Sequence, residues 1–386
     1  MTLLMIWHAG TVPQYQDRYL ALEEYFDEII VVVPDGWKEV EKYPPPSGVG
    51  SSTEVHRLSC WFPFHPYTVL YQGLGTLINE RTPNVLYVHE EPLALSAAQA
   101  AVHARRTGTP LLVDSALINK IGYAWGVNPV EQLVYSTADV VYYRNDQCRQ
   151  TLLQRGCSEQ KLRGPMPNGV SEQTFFPVPR SEATKFLDEV AGADGHFMRQ
   201  ESTLSHGRPL RLGFAGRICY EKGVDLLCRI PSLEEDLEVV LCGPMIDAKY
   251  RRLLQESSDL YYLGELDGGD MNKFYSACDL TVLPSLRTSR WEEQFGRVLT
   301  ESIACETPAV GSDVGMIEQI VGREAVFPER DTEAFARLVD SLRDPNDRES
   351  LLAAQKRRVR ERFSWSAVGE KVWEDVQSVT QSGTSM

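Results

Sequence analysis

The chain has 386 residues and a formal net charge of −15 at pH 7. That length holds two domains of ordinary size, and the acidic balance weighs against nucleic acid as a partner. No apolar run has the length of a membrane span, which weighs against a spanning protein and leaves peripheral membrane contact to a local patch.

Met1-Thr-Leu-Leu-Met-Ile-Trp7 lacks a basic region and a small-residue cleavage site. It reads as a first strand rather than a signal peptide, so a cytoplasmic location is expected. An amphipathic stretch follows around Tyr19 to Phe26. Strands are predicted at Glu28 to Val33, Val55 to Ser59, Asn84 to His89, Pro110 to Val113 and Ala138 to Tyr142. Helical periodicity fills Tyr67 to Glu80 and Ala94 to Arg106, and Pro34 to Ser52 reads as an exposed loop. Apolar strands alternating with helices imply a parallel sheet covered on both faces. No Gly-x-Gly-x-x-Gly follows the first strand, so no dinucleotide site is expected there.

The Pro-rich run Pro165-Met-Pro-Asn-Gly and Pro177-Val-Pro179 close a first domain, set at 1–178. Residues 179–207 read as an inserted helix plus linker. A second strand–helix series occupies 208–363, with strands starting at Leu210, Glu238, Leu260, Leu280, Ala309 and Ala325. The eight cysteines are scattered, with no Cys-x-x-Cys pair and no zinc spacing, and read as reduced thiols. Trp7, Trp61 and Trp365 read as core or interdomain residues.

The densest chemistry lies in Trp291-Glu-Glu-Gln-Phe-Gly-Arg-Val-Leu-Thr-Glu301. A strand-like run, Leu280 to Leu283, leads in, and a helical pattern follows Gly296. Glu293 is then a loop residue, and Glu301 lies about a turn and a half into the helix. Glycine lets a ligand approach the backbone, and the amides of Phe295, Gly296 and Arg297 at a helix start suit a phosphate. Two solvated glutamates near a helix start are the competing reading. A second element shifts the balance. Leu210 to Ala215 runs into Gly216-Arg217-Ile-Cys-Tyr-Glu-Lys222-Gly223, placing two cations in a strand-to-helix loop of the kind that lines ligand crevices.

With those motifs stand Pro167-Asn-Gly-Val170, Leu241-Cys-Gly243-Pro244, Leu263-Gly264, Tyr275-Ser-Ala-Cys-Asp279, Leu283-Pro-Ser285 and Thr307-Pro-Ala-Val-Gly-Ser-Asp-Val-Gly315. In order and spacing the second half resembles the family 4 (group 1) retaining glycosyltransferases. The resemblance implies an α/β GT-B fold, two Rossmann-like domains with parallel sheets facing across a cleft. It also implies that the last helix, 364–386, packs back on the first domain. Arg217 and Lys222 would bind the diphosphate of a nucleotide-sugar, Glu293 the transferred sugar and Glu301 the ribose. Gly216, Gly243, Gly264 and the stretch Gln294, Phe295, Gly296 and Arg297 would complete the donor cradle. Glu293, Arg217 and Lys222 are the expected catalytic set.

Glycosyl transfer passes through an oxocarbenium-like state as the nucleoside diphosphate leaves with growing negative charge. Cations and helix amides aimed at that charge lower the barrier. No Asp-x-Asp metal motif occurs, so no metal or other cofactor is expected beyond the nucleotide-sugar co-substrate. Acceptor candidates on the first domain are His8, Gly10, His89, Glu91, Asp114 and Asn119, with Lys120 beside the last. Many relatives carry a histidine where this chain reads Asp114-Ser-Ala116, which puts a histidine role there in doubt. A satisfied strand-end histidine is the competing reading for His8 and His89. Arg287 and Arg290 read as cations that hold the loop or an acidic neighbour. Tyr275 and Asp279 read as packing and strand-entry residues. The acceptor is a carbohydrate, a lipid-linked sugar or a small hydroxylated molecule, and a homodimer stays open. The rival readings are a nucleotide-sugar sensor or partner subunit without turnover, and an epimerase or phosphorylase on the same architecture.

Overall fold

The structure, a computed structural model, describes all residues except 43–49, 118–126, 194–208, 233–235, 257–258, 290 and 383–386. The chain divides into two compact units, 1–169 with 365–386, and 170–364.

The first unit runs β1 (Thr2–Ile6), α1 (Pro13–Leu20), β2 (Glu28–Pro34), α2 (Lys38–Lys42), β3 (Thr53–Leu58), β4 (Cys60–Trp61) and β5 (Leu70–Tyr71). It continues through α3 (Leu74–Arg81), β6 (Val85–Val88), α4 (Leu95–Thr107), β7 (Leu111–Ser115), α5 (Val127–Thr137), β8 (Val140–Tyr143), α6 (Asp146–Gln154) and β9 (Leu162–Arg163). Seven strands form one sheet in the order β3-β2-β1-β6-β7-β8-β9, with every pair parallel. The inner strands are apolar end to end because both faces are covered: Leu3 to Ile6 and Ile29 to Val33 are fully buried. On one face α4 presents Ala97, Ala100, Ala101 and Ala104, whose small side chains let it lie close to the strands. Gly108, at φ +70°, ends that helix in the left-handed conformation glycine tolerates. β4 and β5 form a separate antiparallel hairpin where helical periodicity had predicted one helix from Tyr67; the helix starts only at Leu74. A short helix, α2, interrupts the stretch predicted as loop at Pro34 to Ser52.

The second unit holds α7 (Arg180–Ala193), β10 (Leu210–Ala215), α8 (Val224–Leu227), β11 (Leu237–Cys242), α9 (Lys249–Glu256), β12 (Leu260–Tyr262) and α10 (Gly268–Ala277). After these come β13 (Leu280–Leu283), α11 (Arg297–Ala304), β14 (Ala309–Ser312), α12 (Ile317–Val321), β15 (Val326–Phe327), α13 (Thr332–Ser341) and α14 (Pro345–Arg362). Its sheet order is β12-β11-β10-β13-β14-β15, again parallel throughout. The unit boundary falls at 169/170 rather than at 178. The reason is local: the Val170 amide donates to the Phe363 carbonyl at 2.8 Å, and the Val178 amide to Ser276 Oγ at 3.0 Å. Residues 180–193 are a helix, and this helix belongs to the second unit. Ala183, Leu187 and Ala191 pack with Phe274, Tyr275 and Cys278.

The chain then returns. α15 (Trp365–Ser382) lays Trp365, Val368, Val372 and Val376 into the core of the first unit beside Leu3, Met5 and Tyr19. Trp7 and Trp365 are buried, but Trp61 is 53% exposed. The core reading of Trp61 is therefore wrong: it stands on the β4–β5 hairpin, off the main sheet. None of the eight cysteines forms a disulfide. Among the described residues no helix is long and apolar enough to cross a membrane.

Candidate functional site

In an open parallel sheet, ligands bind beyond the carboxyl ends of the strands, where the chain's path across the sheet reverses. In the second unit that point lies between β10, which runs on to β11, and β13 on its other side. The two motifs separated in sequence therefore emerge side by side: residues 216–223 after β10, and residues 284–296 after β13. They are tied together. The Leu286 amide donates to the Glu221 carbonyl at 2.8 Å. Gly223 has φ +72°, and a Cβ there would stand 1.9 Å from the Pro284 carbonyl oxygen, so only glycine admits this approach.

The approach brings Lys222 to Glu293, with Nζ 2.5 Å from Oε2. Ser285 Oγ donates to the same oxygen at 2.9 Å, and the Trp291 ring faces the ammonium at 5.1 Å. Glu293 is only 8% exposed. Its loop is locked from behind by Gly315, where a Cβ would lie 1.7 Å from the Glu293 carbonyl oxygen; the Gly315 amide donates to Glu292 at 3.2 Å. Arg287 pairs with Glu292 and Glu329 and so braces the loop. Arg290 lies outside the described residues.

Gly296, at φ +85°, begins α11. Among the described residues the amides of Phe295 and Gly296 donate to no acceptor. The Phe295 ring is buried, 5.8 Å from Phe363, so only its backbone can meet a ligand. Gln294 is half-buried. Glu301, in the second turn of α11, accepts from the Tyr275 hydroxyl at 2.7 Å and has Arg297 Nε 3.8 Å away. Burial pushes its carboxyl above the usual range, against the opposing pull of Arg297 and Tyr275. Tyr275 thus does more than pack, since it orients Glu301. Asp279 accepts from the Arg211 amide at 2.9 Å and pairs with Arg180, which is a structural role.

On the other side of β10, glycines line the adjacent strand ends. The Gly216 amide donates to the Cys242 carbonyl, and the Gly243 amide to the Gly264 carbonyl at 2.7 Å. A Cβ on Gly243 would stand 2.2 Å from the Gly216 carbonyl oxygen. Arg217 is exposed and forms no ion pair among the described residues. Among the described residues the assembled surface thus offers one guanidinium without an ion pair, one ammonium shared with a carboxylate, and backbone amides at a helix start. Ser285, Trp291, Gly223 and Gly315 were not singled out from the sequence. All four lie inside motifs quoted from the sequence, without a role assigned to them there.

The first unit places its candidates at the equivalent point, between β1 and β6. His89 and Asp114 come together with Arg18, Tyr87 and Arg144. Asp114 Oδ2 takes His89 Nδ1, Arg18 at 2.7 Å, the Tyr87 hydroxyl at 2.9 Å and Arg144 at 3.2 Å. Arg18 Nη1 stands 3.3 Å from His89 Nε2, so the ring carries its proton on Nδ1. Burial and the Arg18 charge hold His89 neutral, with a pKa of about 3. Arg144, His89 and Arg18 outweigh burial and hold Asp114 well below the usual carboxylate range. Both ring nitrogens of His89 are engaged, so it is a satisfied histidine. His8 differs. It is 4% exposed and lies between Trp37 and Tyr71; its Nδ1 stands 3.2 Å from Glu90 Oε1 outside hydrogen-bond geometry, and its Nε2 has no partner among the described residues. Burial lowers its pKa to about 3. The His8 amide donates to Glu90 at 2.7 Å. Glu91 accepts from Ser115 Oγ at 2.6 Å and the Ala116 amide at 2.8 Å, a cap on the chain after β7. Burial raises Glu90 to about 8 and Glu91 to about 7. Gly10 packs on β2, where a Cβ would meet Val31 at 2.9 Å. Asn119 and Lys120 lie outside the described residues. Arg18 and Arg144 were not foreseen, because nothing local marks an arginine that will be buried.

Among the described residues no group of His, Cys, Asp or Glu is placed to hold a metal ion. Residues 198–358 match the family model for glycosyl transferases group 1. Alpha-maltose-1-phosphate synthase of Mycolicibacterium smegmatis is 30% identical over 234 residues, covering 55% of this chain and 56% of that protein. D-inositol 3-phosphate glycosyltransferase of Salinispora tropica is 30% identical over 174 residues, covering 40% of this chain and 35% of that protein. The chain thus spans about half the length of the curated relatives it matches, or less. Among solved structures, HepE of Anabaena in complex with UDP and glucose superposes with a TM-score of 0.69 at 16% identity, over 98% of this chain and 100% of that one. Sucrose-phosphate synthase of Thermosynechococcus elongatus also gives 0.69, at 18% identity, over 99% and 100%. The fold is GT-B, and residues 198–358 are similar to the group 1 glycosyl transferases.

Proposed function

We propose that the protein moves a sugar from a nucleotide-sugar to an acceptor hydroxyl, with retention of configuration and without a metal ion. One observation carries the reading: exposed, unpaired Arg217 stands in the same strand-end loop as Lys222, which Glu293 holds at 2.5 Å. A diphosphate entering there meets Arg217 directly and draws Lys222 into charge-assisted bonds. The amides of Phe295 and Gly296 take further phosphate oxygens. As the glycosyl bond breaks, these groups stabilise charge growing on the leaving diphosphate. Glu293, released in part from Lys222, faces the transferred sugar. Glu301, steadied by Tyr275, accepts from ribose hydroxyls. The solved complexes of HepE with UDP and glucose support a donor of this class on this fold.

On the acceptor side we propose His8 rather than His89, because His8 Nε2 has no partner among the described residues, whereas both ring nitrogens of His89 are engaged. The acceptor class stays a carbohydrate, a lipid-linked sugar or a small hydroxylated molecule.

The test is a thermal-shift panel of nucleotide-sugars, followed by turnover of the stabilising donor in the presence of a chelator. A bound donor raises the melting temperature by mass action. The expected result is stabilisation and chelator-resistant turnover, both lost in Arg217→Ala, with turnover alone lost in Glu293→Ala. Donor binding without transfer to any acceptor would establish a sensor instead. Turnover that stops with chelator and returns with a divalent ion would refute the metal-free route.

A further inference from the structure

Seven large apolar side chains are exposed among the described residues: Trp61, Phe62, Phe64, Phe176, Tyr220, Ile246 and Leu253. Three of them fall within four positions on the β4–β5 hairpin. Trp61 is 53% exposed, Phe62 57% and Phe64 89%. Scattered apolar residues are ordinary on a surface; a cluster of rings at a loop tip is not.

The charge pattern is equally unusual. From Leu58 to Asn79 the sequence contains no Asp, Glu, Lys or Arg, although charged residues make up 24% of the chain. The arginines at the two edges are neutralised. Arg57 pairs with Asp35 at 2.7 Å and Glu41 at 2.9 Å. Arg81 pairs with Glu28 and, at 2.9 Å, with Glu54. The tip also hides backbone polarity. Thr68 Oγ1 serves the carbonyls of Phe62 and His65, both at 3.0 Å, and its amide donates to His65 as well. Pro63 and Pro66 have no N–H to satisfy. The base is held rigidly: Gln99 of α4 bonds both the amide and the carbonyl of Tyr71, at 2.9 and 2.7 Å.

We propose that this hairpin inserts its tip into the interfacial layer of an electrically neutral, zwitterionic lipid bilayer. Aromatic rings favour the headgroup level, where one side is apolar and the other wet. Internally satisfied backbone groups enter that layer at little cost. The lack of Lys and Arg from Leu58 to Asn79 fits neutral rather than anionic lipid. A glycan would need free donors and acceptors beside the rings, and Thr68 has spent its own. A second copy of the chain fits poorly as well. The three rings expose roughly 400 Å² together, about half of what a stable partner surface buries on each side. The proposal does not depend on the transferase reading.

The test is co-sedimentation of the full chain with phosphatidylcholine vesicles, with and without added phosphatidylserine. The variants are Phe64→Ser and Trp61→Ser/Phe64→Ser. Phe64 is almost wholly exposed, so its replacement leaves the fold intact. Expected are binding of the natural chain to phosphatidylcholine, no gain from phosphatidylserine, and a loss of about tenfold or more in the double variant. The donor-induced thermal shift, read in the same samples, should not change; it reports on the transferase reading separately. Four results would overturn the proposal: no binding to neutral vesicles, binding that requires phosphatidylserine, unchanged binding in the double variant, or a concentration-dependent dimer that the double variant abolishes without any vesicle binding.

Discussion

In the first unit β1 lies between β2 and β6, and in the second β10 lies between β11 and β13. The same plan therefore brings two loops together at the carboxyl ends of each sheet, but the loops are filled in opposite ways. At the second unit's ends one cation is left open: Arg217 is exposed, while Lys222 has one carboxylate partner. At the first unit's ends the charges are many and closed. Arg18, Arg144, His89 and Tyr87 all converge on Asp114, which is 3% exposed. An exposed cation is accessible to a ligand anion. A closed network spends its charge on holding the strands and helices that converge on it. The comparison teaches that a strand-end cation left exposed, such as Arg217, is available to a ligand, whereas cations buried around a carboxylate, such as Arg18 and Arg144, are spent on structure.

The largest effect separating the two regions should come from Asp114→Ala. It leaves two buried guanidiniums without their carboxylate, which costs about 3–5 kcal/mol. A urea denaturation series should show it as a lower midpoint for the first unit. If stability were unchanged, the closed network would have no structural weight. Arg217→Ala should do the reverse. Donor turnover is expected to fall about 10²–10³-fold, while urea unfolding stays close to the parent protein, because the side chain is exposed and unpaired. A comparable loss of stability in this variant would erase the contrast.

A smaller effect is expected from Gly223→Ala. Its φ of +72° and the nearby Pro284 carbonyl oxygen make a side chain costly, by about 1–3 kcal/mol. Gly264→Ala, with φ +72° but nothing within 4 Å, should cost less. Equal costs would mean that the tie between the two donor-side loops carries no strain-sensitive contact.

The smallest effect is a pH dependence confined to the first unit. Burial raises Glu90 to about 8 and Glu91 to about 7, so the folded state binds protons more tightly than the unfolded chain. Their contribution is complete below the ordinary carboxylate pKa and is lost as pH rises through 7 and 8. His8 and His89, lowered to about 3, act oppositely. Their contribution is complete above the ordinary imidazole value of about 6.5 and is lost as pH falls toward 3. From these four groups, stability should be greatest between about pH 4.5 and 6.5 and decline toward 8. The slope is at most about 1.4 kcal/mol per pH unit for each group. Glu90→Gln should flatten the alkaline decline, measured as the urea midpoint against pH. A decline that persists in full would assign it to other groups.

The loops after β10 and before α11 were legible because their signals are local. Gly216, Arg217, Lys222 and Gly223 lie within eight positions, and Glu293 to Glu301 within nine. Backbone conformation and charge act over such distances without help from the rest of the fold. Strand runs such as Ile29 to Val33 were legible for the same reason. The hairpin at Cys60 to Tyr71 was misread in part because apolar residues spaced at Tyr67, Leu70, Tyr71 and Leu74 satisfy helical periodicity. Gln99 of α4, far along the chain, holds Tyr71 extended. Trp61 was misplaced in the core because its composition says apolar, while its exposure depends on where the hairpin stands relative to the sheet.

Alone, the order of amino acids determined two strand–helix series and the chemistry of the loop after β10 and of the loop before α11, since each depends on residues a few bonds apart. Tertiary structure alone decided which charges stay open. Arg18, Tyr87, His89, Asp114 and Arg144 are spread over more than a hundred positions and neutralise one another only once the sheet has assembled. Pairing depends on distance in space, and for groups so far apart in the chain that distance exists only in the folded molecule.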